Sequence, residues 1–323
     1  MNIIGTIKLS RARPGLPTAI LWDCAVFLLA YFIKSPALAA ESVRGALGIC
    51  ASRLIPSLFP FIVLTGIVSS SGLADAAAEV IGRPFERLFG ISRSAACAFL
   101  MGAVGGFPVG AIMARGLYDD LKISRSEAER LICFTNNAGL AFCVGGIGVS
   151  LYGSAAVGWQ IYLCQLTAAM LIGIVQSIGS EPSEAQPEPI RRRSPGELLG
   201  RCSESIAQGG LTMLKICAFA VFFAVIGDAL TAALDASLGR FAAALGASFC
   251  ELTLASRLCA GLGRTASLPM CAFAVGFAGL SVHMQVAAVL GGKIPMRRYL
   301  FSKLAQGIIS ALLMMLACLF IAR

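Results

Sequence analysis

Charged residues are scarce: they fill 13% of 323 positions, about half the roughly 25% of a soluble domain. Hydrophobic residues make up 57%, and the mean hydropathy is +0.82. That balance excludes an ordinary soluble domain and implies a polytopic membrane protein. Histidine is nearly absent, with His283 alone, and no Cys-x-x-Cys occurs among twelve cysteines. The spacing and partners that a zinc site needs are therefore missing. No glycine-rich loop ends in Lys-Ser/Thr, and no Ser/His/Asp or Cys/His set has its partners in workable places. The chain thus reads as neither a P-loop nucleotidase nor a nucleophilic hydrolase, and no enzyme, cofactor or metal is expected.

The net charge of +9 does not point to nucleic acid. Basic residues collect in short loops, the pattern of positive charge retained on the cytoplasmic side, and no basic face with interleaved aromatics appears. Most cysteines, among them Cys50, Cys133, Cys143 and Cys271, lie in apolar runs and read as small packing residues.

Apolar segments fall near 19–33, 46–72, 94–114, 131–150, 156–178, 207–234, 241–262, 266–290 and 300–321. The first follows Lys8, Arg11 and Arg13, contains Asp23, and reads as an uncleaved signal-anchor-like helix within residues 1–40. Residues 179–205, with Pro182, Pro187, Pro189 and Arg191 to Arg193, form a polar linker that separates a first repeat, 41–178, from a second, 206–323. Each half opens on an aromatic-bearing helix and passes through a Gly/Ala-rich segment to an interrupted helix.

Charge sets the topology. If every segment spanned, the loop with Lys122, Arg125 and Arg130 and the linker arginines would both lie outside. If 94–114 and 241–262 are instead re-entrant hairpins, the N-terminus, the loops 73–93 and 115–130, the linker and the 291–303 loop with Lys293, Arg297, Arg298 and Lys303 are all cytoplasmic. The expected fold is all-α: about seven spanning helices and two re-entrant hairpins in two inverted repeats, in a bacterial cell membrane.

The interruptions carry the functional signal. Gly105-Gly106-Phe107-Pro108-Val109-Gly110 and Phe134-Thr135-Asn136-Asn137-Ala138-Gly139 break apolar runs. Non-helical backbone survives at membrane depth only against protein or a water-filled cavity. The Gly105, Gly106 and Pro108 turn suits a hairpin tip that could favour an anion, or alternatively close helix packing. Asn136 and Asn137 suit either solute recognition or capping of the break. Glu251, beside Thr253, is a costly membrane-zone carboxyl that could bind a proton or cation coupled to transport or contact the solute, with a packing carboxyl bonded to backbone as the alternative. Ser281, His283 and Gln285 form a polar group in which His283 could pair with Glu251. Asp23 and Asp228 lie near segment ends and read as structural.

The pieces Leu58-Phe59-Pro60-Phe61, Gly106-Phe107-Pro108-Val109-Gly110-Ala111, Ser124-x-x-Glu127, Phe134-Thr135-Asn136-Asn137, Glu251-Leu252-Thr253 and Ala278-Gly279-Leu280-Ser281-Val282-His283-Met284-Gln285 occur in this order. In that order the chain resembles the sporulation integral membrane proteins of the YlbJ type, which carry a nucleoside-recognition or Gate domain. The resemblance covers roughly residues 40 to 321. It implies a plan similar to concentrative nucleoside transporters and a role in moving a small organic solute, with dipicolinate a candidate. Three positions depart from the pattern. Ile112 stands where a Lys is common, Leu140 where a Pro is expected, and Leu254 where a Gly is usual. The missing Lys removes a cation that could bind a carboxylate. The partners so implied are the solute, membrane lipid, and either further copies or a membrane partner. The expected mechanism is alternating access, with a passive gate subunit or a structural membrane protein of sporulation as the alternative.

Overall fold

A computed structural model describes residue 26 and residues 29–71, 73–179 and 195–321. Most of the 19–33 segment and the proline-rich centre of the 179–205 linker lie outside the described residues. Contacts divide the chain into two units, Met1–Glu41 and Ser42–Arg323, and the second carries the hairpins and the helix breaks. Every regular element among the described residues is helical, with no strand among them.

Helix α1 (Pro36–Ile49) passes through a π-helical turn at Cys50–Leu54 into α2 (Ile55–Ser71), and α3 (Leu73–Phe89) comes next. Two short helices, α4 (Ala96–Gly105) and α5 (Val109–Asp119), form a first hairpin. Then α6 (Arg125–Thr135) stops, the chain runs unwound through Asn136–Gly139, and α7 (Phe142–Tyr152) resumes, mostly π-helical. A long α8 (Ala155–Ser177) closes the first half.

The second half also holds a hairpin, an interrupted helix and a closing long helix, preceded by one long helix in place of three. Long α9 (Pro195–Leu238) leads to a second hairpin, α10 (Arg240–Cys250) and α11 (Leu252–Ala260). An interrupted pair comes after it, α12 (Arg264–Phe277) and α13 (Gly279–Leu290), and then long α14 (Arg297–Ile321). Helix α9 begins within the stretch read as linker, because Pro195 is pre-shaped for a first helical position and Glu197 in the first turn suits the helix dipole.

Among the described residues five helices could cross a bilayer by length and hydropathy, or six if the bent pair Gly82–Phe89 and Arg93–Gly105 counts as one span. The short hairpin helices α10 and α11, at 11 and 9 residues, are below the roughly 20 that a span requires.

Local chemistry sets the stops. Ser124 caps α6 by accepting from Glu127 N, and Ser154 caps α8 by accepting from Val157 N. The Ser124-x-x-Glu127 pattern predicts a capping box in which Glu127 reaches back to Ser124. Here a Glu127 carboxylate oxygen accepts from the backbone N–H of Ser92 at 2.6 Å, tying the start of α6 to the loop before the first hairpin.

Small residues let helices meet backbone to backbone. A Cβ on Gly148 would stand 2.6 Å from Gly158 Cα, and one on Gly276 would stand 2.9 Å from Gly307 Cα. Aromatic clusters lie beneath each interruption. Phe85, Phe89, Phe99 and Phe134 stack before the first break, and Phe249, Phe273 and Phe277 before the second.

Candidate functional site

Each hairpin turn sits on the helix break of its own half. A Cβ on Gly106 would stand 2.7 Å from Gly139 N, and one on Gly279 would stand 3.1 Å from Cys250 O. Gly106 has φ +85°, so its backbone is left-handed where an L side chain is disfavoured. Both legs of the first hairpin close on the end of α6. Cβ atoms on Gly102 and Gly110 would each collide with the Thr135 carbonyl oxygen. At the second break Ala278 and Gly279 both have positive φ, +80° and +78°, and Ala278 persists there only because its surroundings fix it.

The two hairpin turns, the first break and helix α13 just beyond the second break meet at one cavity of about 50 Å³, lined among others by Phe107, Ala138, Gly139, Glu251, Thr253, Val282 and Gln285. That volume holds a few waters rather than an organic solute. A larger hollow of about 370 Å³ shares Ile216 and Gln285 with it and adds Pro108, Arg115, Asp119, Thr212 and Lys215. The larger hollow reaches the size at which small organic ligands bind.

Glu251 and Thr253 thus line the inner cavity, and Pro108 the outer hollow. Glu251 is buried, and one carboxylate oxygen caps α11 by accepting from Leu254 N at 2.7 Å. Glu251 and His283 do not pair. The His283 ring meets Tyr299 Oη through Nδ1 at 3.2 Å, and its Nε2 is buried without a partner. Ser281 is buried and accepts a long bond of 3.5 Å from Gln285 Nε2.

Asn136 and Asn137 are fully buried, but the residues of their break that line the cavity are Ala138 and Gly139. Asn137 donates to Phe134 O at 2.7 Å and accepts from Gln306 Nε2 at 2.8 Å, so its amide holds the break together. Asn136 donates to Tyr299 Oη at 3.1 Å, and its Oδ1 has no partner.

The network around them includes residues that sequence reasoning missed. Gln165 of α8 pairs with both backbone groups of Ala138, accepting from its N–H at 3.2 Å and donating to its C=O at 2.7 Å. Lys303, read as a cytoplasmic loop charge, instead lies inside α14, fully buried. Its ammonium donates to Asn136 O at 2.7 Å and to Gln306 Oε1 at 2.6 Å. The available signal was periodicity: Tyr299, Lys303, Gln306 and Ser310 fall on one face of a helix in an otherwise apolar run.

At one end of the site Arg115 donates to the carbonyls of Val289 and Leu290 at the end of α13, and to Asp119 at 2.6 Å. Lys293 donates to the other oxygen of Asp119 at 2.9 Å. The hydrogen bond from Lys293, aided by Arg115, holds the Asp119 carboxyl below its ordinary 3.8. A depressed carboxyl contributes stability above the ordinary value and loses it as pH falls through the lowered one. This latch ties the first hairpin to the second broken helix and should be intact at neutral pH. Replacing Asp119 by Asn should speed hydrogen exchange of the 291–293 amides by about two- to fivefold, the scale of such partly exposed pairs. Unchanged exchange would show that the carboxylate does not hold the turn.

Among the described residues no group of three or more His, Cys, Asp or Glu side chains is placed to hold a metal ion. No protein-family model matches the chain, and no solved structure matches it. The chain is 25% identical over 339 aligned positions to the sporulation integral membrane protein YlbJ of Bacillus subtilis (strain 168), covering 93% of this chain and 82% of that protein. The YlbJ-type resemblance carried by the motifs therefore extends over nearly the whole chain. Together with the long apolar helices, it makes this a multi-pass membrane protein.

Proposed function

We propose that the protein is a carrier of a small organic anion, working by alternating access at the cavity where both hairpin turns, the first helix break and the second broken helix converge. That convergence is the observation that carries the reading, because broken helices meeting at depth are how transporters expose backbone dipoles to solute and ions. The relative's role in sporulation suggests spore formation as the setting. An aromatic dicarboxylate such as dipicolinate is the solute class we favour.

In this reading the fold has about seven spans and two re-entrant hairpins in two inverted repeats, with the N-terminus cytoplasmic. Several contacts support that topology by joining stretches assigned to the same side. Lys293 bonds Asp119, Arg130 bonds Gly90 O at 3.0 Å, and Gln176 bonds Ser302 at 3.1 Å, all on the cytoplasmic side. Tyr152 Oη lies 2.9 Å from Ser267 Oγ on the other side.

The solute would first occupy the outer hollow, where Arg115 and the exposed Lys215 offer positive charge and Thr212 and Gln285 offer hydrogen bonds. These cations take the part of the Lys that Ile112 replaces. The inner cavity, too small for such a solute as it stands, is the space that opens when the hairpin tips part from the breaks. Glu251, Thr253, the Gly105–Pro108 turn and the Ala138–Gly139 backbone would then face it, and Asn136 and Asn137 would fix the broken backbone. Ser281 and His283 would support the second break.

The binding step is tested by titrating purified protein in detergent with dipicolinate, isophthalate, benzoate and uridine, followed by calorimetry. The dicarboxylates should bind more tightly than benzoate, and uridine least. Arg115→Ala or Lys215→Ala should each weaken dicarboxylate binding by about tenfold, the worth of a charge-assisted hydrogen bond. Preference for uridine, or indifference to both substitutions, would reject the anion assignment.

A further inference from the structure

Lys303 is a buried basic side chain that the carrier mechanism has not used. It is completely buried, inside a helix, among the described residues without a carboxylate in ion-pair range. An isolated ammonium in such a place is costly unless its surroundings supply negative potential. Here every polar neighbour that Nζ contacts is an acceptor. It donates to the Asn136 backbone carbonyl at 2.7 Å and to Gln306 Oε1 at 2.6 Å, and it lies 5.2 Å from the centroid of the Phe107 ring. The ring face attracts a cation.

The remaining neighbours fit the same environment. Asn136 Oδ1, in the same break, is a buried acceptor with no partner. Tyr299 Oη accepts from Asn136 Nδ2 and meets His283 Nδ1, so a neutral imidazole suffices there. Cys133 and His283 are the other titratable groups near the ammonium, and neither brings a fixed negative charge. Unwound carbonyls at a helix break, an amide oxygen and no carboxylate make a monovalent cation site. The cation is covalently attached.

We propose that the Lys303 ammonium is a tethered cation at the first helix break, occupying the position that a soluble coupling cation such as sodium would otherwise fill. The proposal deepens the carrier reading and rests on it for its meaning: the first break would carry its cation on the protein itself, and transport would not require sodium. It also gives Phe107 two roles, one face toward the ammonium and its position in the hairpin tip at the cavity wall. Movement of that tip would alter the field at the break.

The test does not need a transported solute. Thermal midpoints of the full chain in detergent are measured for wild type, Lys303→Met and Lys303→Ala. Each is run in sodium chloride, choline chloride and propylammonium chloride at equal ionic strength, with 1-propanol as the neutral control. Propylammonium is the fragment that the alanine substitution removes. Wild type should melt at the same temperature in sodium and choline. Lys303→Met, which keeps bulk without charge, should lose about as much stability as Lys303→Ala. Propylammonium should restore at least half of the loss in Lys303→Ala, and 1-propanol should not.

A methionine variant as stable as wild type, rescue by propanol equal to that by propylammonium, or a sodium-dependent rise in the wild-type midpoint would each overturn the tethered cation. The comparison of sodium with choline on wild type decides even where a variant fails to accumulate. Absence of solute flux in liposomes would count against the carrier reading alone and leave these readouts standing.

Discussion

Gly110→Ala should cripple the fold, while Gly116→Ala, six residues along the same helix, should leave it intact or slightly stabilise it. A Cβ at position 110 would lie 2.6 Å from the Thr135 carbonyl carbon and 3.0 Å from Asn136 N, and would collide with the carbonyl oxygen. All three are backbone atoms of the segment that enters the first break, so no flexible side chain can move aside. Overpacking typically costs about 1–3 kcal/mol even where side chains can yield, and here the yielding element is the broken helix itself. Beside Gly116 there is nothing within 4 Å, and alanine is favoured over glycine in a helix by roughly 0.5–1 kcal/mol. In detergent the first variant should lose about 5 °C or more of thermal midpoint, or fail to accumulate, and the second should match wild type. Equal behaviour of the two would mean that the hairpin legs do not grip Thr135.

Gln165→Leu is expected to be nearly as severe, for a different reason. The Gln165 side chain serves the unwound Ala138 as a strand neighbour would, pairing its N–H and its C=O together. Leucine is of similar size, so packing survives, but two buried backbone groups lose their partners. Each orphaned group costs about 1–3 kcal/mol. The predicted signature is local: hydrogen exchange at Ala138 should accelerate by about a hundredfold or more, equivalent to roughly 3 kcal/mol. Gln165→Glu should fall between, since it keeps an acceptor for the N–H and loses the donor. An Ala138 amide as protected in Gln165→Leu as in wild type would show that the break is held by other means.

These two residues also show where sequence was legible and where it was not. The breaks were readable because Gly106, Pro108, Asn136 and Gly139 are poor helix formers set in apolar runs, and membrane depth leaves few explanations for them. Glu251 was readable for its charge. The order of hairpin, broken helix and long helix in each half came from the same punctuation.

Partners distant in sequence were not readable. Asn137 pairs with Gln306 across 169 positions, and nothing near Asn137 indicates which helix satisfies it. From sequence alone the asparagines therefore suit solute recognition and capping equally; in the structure Asn137 donates to Phe134 O and accepts from Gln306 Nε2. Lys303 was misplaced because a lysine following Arg297 and Arg298 looks like the tail of a basic loop. Its helical register with Tyr299 and Gln306 was the better guide. The π-helical stretches at Cys50–Leu54 and Phe142–Val149 left no recognisable mark in the sequence. They depend on which backbone groups a neighbouring helix satisfies.

The most direct test of the account is solute accumulation in proteoliposomes. Labelled dipicolinate would be supplied outside sealed vesicles, with and without an inward proton gradient, for wild type and Glu251→Gln. The account predicts saturable uptake that exceeds the external concentration under the gradient, persists when sodium is replaced by choline, and falls at least tenfold in Glu251→Gln. Flux that only equilibrates, ignores the gradient and is unaffected by Glu251→Gln would contradict it and identify a passive gate in place of a carrier.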